Sequence, residues 1–190
     1  MLYTVPIFDA AQISIDSYLA AIIIGVMQLI GISLSTAIIE QTGRRPLLFI
    51  SSTGVILCHA ALGTFFLLQS SSIDLSSFGW LPVVAMSTFA IIYSIGLGPM
   101  YFTVSNEAYH PDAASFCSSV SFFIMELSGF FLAKFYPIIG AAIGLHYCFF
   151  ILVIFCICIL LAIIVYVPET KGRTKESILD ELRSRRGIFH

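Results

Sequence analysis

Charge is what this chain has least of: Asp, Glu, Lys and Arg together make up 11% of its 190 residues, and no base occurs before Arg44. With 58% of its residues hydrophobic, such a chain cannot enclose its apolar side chains in one aqueous core of this size. Lipid must cover much of it. The absence of Lys and Arg ahead of the first apolar run also argues against a cleaved signal peptide. The net charge of −2 says nothing about partners, because the asymmetry of sign is between membrane faces, and nucleic acid is not an expected ligand.

Catalytic and metal chemistry lack material too. Cys58, Cys148, Cys156 and Cys158 lie inside apolar runs and Cys117 lies near the start of one, which reads as buried inert thiols and not as disulfides or metal ligands. No nucleophile, base and orienting group stand at suggestive spacings, and there is no phosphate loop. The expectation is a protein that is not an enzyme and carries no cofactor and no metal.

What is present is length of apolar run. A bilayer-crossing helix needs ~20 predominantly apolar residues. Five runs qualify, at about 18–39, 47–68, 80–105, 115–135 and 143–167. With no water in hydrocarbon to satisfy backbone groups, these runs should be helices, giving an all-α membrane protein. Residues 1–8 read as the end of a truncated transmembrane helix, 9–17 as an outer loop, 136–142 as a tight outer turn, and 168–190 as a cytoplasmic tail. Orientation follows from the bases, because loops rich in Lys and Arg stay in the cytoplasm. Arg44, Arg45, Lys171, Arg173, Lys175, Arg183, Arg185 and Arg186 all fall on one side by alternation. Lys134 is the exception, expected near the outer end of its helix, where its stem can reach the interface.

Polar groups inside a membrane usually face a bundle interior or an aqueous path. Gln28 shares a helical stripe with Gly25, Gly31 and Ser35, so that face should point inward, either for packing or for a ligand. Gly96-Leu97-Gly98-Pro99 should kink or partly unwind its helix, since Pro removes a backbone donor and glycine lets the chain bend. Glu126, midway along a run, must be protonated, hydrated or paired; it reads equally as a substrate or proton contact and as an acid bonded across helices. His59 reads as a satisfied buried histidine.

At Glu40-Gln41-Thr42-Gly43-Arg44-Arg45, Gly98-Pro99, Glu107 and Pro168-Glu169-Thr170-Lys171-Gly172 the chain resembles the sugar porter family of the major facilitator superfamily, in the order of that family's carboxy-terminal half. Wording such as Ile24-Gly25-Val26-Met27-Gln28 looks most like the insect facilitated trehalose and glucose transporters. The resemblance implies that the five runs are the eighth to twelfth helices of a twelve-helix fold and that Tyr3 ends the aromatic pair closing the seventh. The first six helices, needed for transport, and the glutamine-rich part of the seventh would precede Met1.

Carried residue by residue, the resemblance puts the sugar path at Gln28, Ser94, Gly98, Pro99, Phe102, Glu126 and Tyr3, and a cytoplasmic gate at Glu40, Arg44, Arg45, Glu107 and Glu169. The chain departs from the pattern where Met100, Tyr101 and Phe102 replace an aliphatic-Pro-Trp ending, where Met125-Glu126 replaces Asn-Trp, and where Ala114 replaces an arginine. The implied function is facilitative, alternating-access transport of a sugar by a multi-pass protein of the plasma membrane, with the bilayer and a small sugar as partners. The alternatives are proton-coupled transport of a sugar or polyol, and a transport-incompetent fragment acting as a membrane partner protein.

Overall fold

The computed structural model describes residues 3–11, 16–71, 78–101, 109 and 113–167. Among these there are helices and no strands. The helices are α1 (Thr4–Ala11), α2 (Ser17–Thr42), α3 (Arg44–Ser70), α4 (Leu81–Ile95), α5 (Ala114–Ile143) and α6 (Leu145–Tyr166). Helical backbone resumes after Gly96 over 97–101. Five of these are long and apolar enough to cross a membrane, α4 being counted with its continuation to Tyr101.

Local chemistry explains the ends. The Asp16 carboxylate caps α2, accepting from the Tyr18 and Leu19 amides at 2.9 and 3.1 Å, which satisfies two of the amides a helix start leaves free. Gly43, at φ 93° and ψ 164°, separates α2 from α3, and Gly144, at φ 100° and ψ 150°, separates α5 from α6. That region of backbone space is essentially open to glycine alone. The glycine of Gly43-Arg44-Arg45 therefore has a structural reason to be there.

Two sequence expectations are corrected at the outer side. The outer loop expected from residue 9 begins later, because α1 continues to Ala11. The turn expected at 136–142 is helical, and the reversal falls at Gly144. Pro137 signals a turn but does not make one: the Ala133 carbonyl it leaves without an intrahelical donor accepts the hydroxyl of Tyr3 from α1. The longer helix also moves Lys134, which lies nine residues before the helix end at Ile143, about 13 Å along the axis, instead of near that end.

The helices pack where small residues let backbones approach. Gly31 on α2 lies against Ile91 and Ser94 of α4, Gly54 on α3 against Ile92 of α4, and Gly63 on α3 against Phe149 and Phe150 of α6. Phe66 and Phe149 stack in parallel at 5.5 Å, and Phe8, Ile24 and Leu62 complete the main core. A second cluster of Leu48, Met100 and Ile163 closes the inner end. α5 stands apart: none of its residues is buried, and it meets the rest chiefly through α6 and Tyr3.

Candidate functional site

Successive residues of a helix advance by about 100°, so Ile24, Gly31 and Ser35 share one narrow side of α2, with Gln28 at its edge. That side meets α4. Gly31 touches Ser94, and the Ser35 hydroxyl donates to the Ile95 carbonyl at 2.7 Å. Gln28 is accordingly half-buried, between the packed side and the open one. Gly25 lies a step further round, with nothing within 4 Å of where its Cβ would stand. The expected stripe thus divides into packing residues and an open flank.

α4 breaks at Gly96, whose φ of −118° and ψ of −80° are not helical. The break separates candidates that adjoin in sequence. Ser94, expected to face sugar, is 3% exposed against Gly31, and its hydroxyl has no partner among the described residues. Met100 is fully buried in the inner cluster, while Gly98 and Pro99 are half-buried. The Tyr101 hydroxyl donates to the Ser121 carbonyl at 3.2 Å, joining the inner end of α4 to α5. Phe102 lies outside the described residues.

On α5, Glu126 is exposed and lies seven residues before Ala133, so both share one face. Tyr3 meets that helix at Ala133, about 10 Å outward from the level of Glu126, and its ring stacks on Tyr136 at 5.3 Å. Behind this pair a cavity of about 260 Å³ is lined by Tyr3, Pro6, Ile7, Ala10, Tyr136 and Pro137. Among the described residues its lining includes no Asp, Glu, Lys, Arg or His.

His59 is held as a core residue. Its Nδ1–H donates to the Val55 carbonyl at 2.9 Å, and its ring sits edge-on to Phe89 at 4.9 Å. No group of three or more His, Cys, Asp or Glu able to hold a metal ion occurs among the described residues.

Of the expected gate, Glu107 and Glu169 lie outside the described residues, and Glu40 falls in the last turns of α2. Arg45 is engaged elsewhere: its guanidinium donates to the Ile164 carbonyl at 2.9 Å, in the last turn of α6. A cation there satisfies a carbonyl left over at the helix end and complements the helix dipole.

Sequence reasoning missed Ser51 on α3. Its hydroxyl donates to the Ile92 carbonyl at 2.7 Å and accepts from the Leu97 amide at 3.2 Å, touching both sides of the break in α4. The only sequence signal for such a group is indirect, in the backbone atoms that Gly96 and Pro99 leave to be satisfied.

These apolar helices, with α2 against α4, α3 against α6 and a broken α4, define a multi-pass membrane protein built as a helical half of a major facilitator fold. The same fold is found in the proton:xylose symporter XylE bound to 6-bromo-6-deoxy-D-glucose, with a TM-score of 0.76 at 22% identity over 87% of this chain and 35% of that one. A double-tryptophan XylE variant matches with the same TM-score of 0.76, at 21% identity. The family model described as "Sugar (and other) transporter" matches residues 1–182, and the chain belongs to that family of transporters, which are not enzymes. Among its relatives, the facilitated trehalose transporter Tret1 of Anopheles gambiae is 36% identical over 96% of this chain and 23% of its own length. That of Bombyx mori is 34% identical over 96% of this chain and 36% of its own. The chain therefore spans about a quarter to a third of the length of these relatives.

Proposed function

We propose that the complete protein carries a sugar across the plasma membrane by facilitative alternating access, and that this chain supplies one wall of the path. The observation that carries the reading is the placement of Gln28, Gly98, Pro99 and Glu126: each lies on α2, α4 or α5, and none is enclosed in the core. Tyr3 closes the outer side against α5, and further helices of the complete protein supply the facing wall. Ser94, enclosed at Gly31, would reach the path only if α2 and α4 parted. At the inner side the gate is proposed to use Glu40, Arg44, Arg45, Glu107 and Glu169, with the Arg45 contact to Ile164 exchanged during the cycle. A relative's name points to trehalose, which makes that disaccharide the first substrate to try.

Glu126 favours a second reading, proton-coupled transport, since a carboxylate stands exposed on a membrane-spanning helix. One experiment decides both. Cells expressing the complete protein should take up trehalose, a hexose or a polyol where control cells do not, and a protonophore should leave initial rates unchanged. No uptake across that panel would refute the sugar reading; collapse of uptake with the protonophore would replace the facilitative mode by the coupled one.

A further inference from the structure

A break in a membrane-spanning helix leaves backbone groups that lipid cannot satisfy. In α4 those groups are met by hydroxyls of two other helices. Pro99 has no N–H to return to the Ile95 carbonyl, and Ser35 of α2 donates to that carbonyl at 2.7 Å. Ser51 of α3 accepts the Leu97 N–H from the inner side of the break and donates, on the outer side, to the Ile92 carbonyl, which the Gly96 N–H also meets at 3.3 Å. The contact is close enough to require glycine opposite: a Cβ on Gly96 would stand 2.3 Å from the Ser51 Cβ and 2.7 Å from its Oγ.

We propose that Ser51 is a positioning residue for transport, whose hydroxyl sets the angle at which the inner segment 97–101 leaves the outer segment of α4. The role rests on the reading of Gly98 and Pro99 as part of the sugar path. Because a serine hydroxyl has a single hydrogen to give, its donation to Ile92 leaves its lone pairs to hold Leu97, and the one side chain clamps both segments. Without it the Leu97 amide loses its acceptor, and the inner segment is held only further on, by Met100 in the inner cluster and by the Tyr101 hydroxyl on the Ser121 carbonyl.

The adjacent Ser52 supplies a matched control. It is equally buried, at 1% exposure, and its hydroxyl has no partner among the described residues. In the complete transporter, Ser51→Ala should raise the KM for sugar uptake about three- to tenfold, the factor carried by one hydrogen bond, and speed amide exchange across 97–101 by a similar factor. Ser52→Ala should change neither. If Ser51→Ala does not reach the membrane, Ser51→Cys, with a weaker donor and acceptor, should shift both quantities in the same direction.

Equal exchange in the Ser51 and Ser52 variants would overturn the clamp. Faster exchange with an unchanged KM would confine Ser51 to a structural role and overturn the positioning. If the unmodified transporter moves no sugar, the positioning role falls with the proposed function, and amide exchange alone still decides whether the clamp exists.

Discussion

The Arg45 guanidinium donates to the main-chain carbonyl of Ile164, 2.9 Å away, and so ties the start of α3 to the last turn of α6. These two helices are also the most extensively packed pair in the bundle, through Gly63, Phe66 and Phe149. Arg45→Ala should therefore loosen one end of a rigid pair. A hydrogen bond from a charged donor contributes about 1.5 to 3 kcal/mol, and the half-exposed position reduces that to about 1 kcal/mol. Thermal unfolding in detergent should show a lowered midpoint for Arg45→Ala and a smaller drop for Arg45→Lys, which keeps the charge without the planar fork.

Two glycines of α2 separate packing from open surface. A Cβ on Gly31 would meet the Ser94 Cβ at 2.8 Å and the Ile91 carbonyl oxygen at 2.9 Å, whereas one on Gly25 would meet nothing within 4 Å. Backbone and a short side chain cannot swing aside, so Gly31→Ala should force α2 from α4 and destabilise by about 1 to 3 kcal/mol. Gly25→Ala should be neutral or slightly stabilising. Paired melting curves check this, and equal midpoints would show that α2 and α4 do not approach at Gly31.

The apolar lengths made the spanning helices legible, and the Gly43-Arg44-Arg45 motif made one inner turn legible, because both depend on residues close in sequence. The far end of α5 did not, since Pro137 and Gly140 are turn signals. There Tyr3, 130 residues away, donates to the carbonyl that Pro137 frees. Ser51 was invisible for the same reason: nothing in a serine announces a broken helix beside it. Ser94, an expected sugar contact, is enclosed where Gly31 brings α2 onto it. In each case a contact between distant segments decided the role, and a periodic pattern along one helix carries no record of its neighbours.

Glu126 is the carboxylate proposed to meet sugar from α5. It is exposed on α5, inward of the point where Tyr3 contacts that helix. A protonated carboxyl can donate a hydrogen bond to a sugar hydroxyl, and an ionised one can only accept. Glu126→Gln keeps the shape and replaces the carboxyl by an amide, so the complete protein carrying it should take up sugar with a KM changed severalfold. An unchanged KM would leave Glu126 a structural residue.

The central claim is that sugar passes along the open flank of α2 at Gln28, and chemical labelling at that position tests it most directly. Complete transporter carrying Gln28→Cys, with Cys58, Cys117, Cys148, Cys156 and Cys158 replaced by serine or alanine, would be treated with a small hydrophilic maleimide with and without a transported sugar. Labelling should occur, and saturating sugar should slow it severalfold, while an untransported sugar of the same size has no effect. A position 28 that resists the reagent, or that labels at one rate whatever sugar is present, would contradict the assignment of this face to the path.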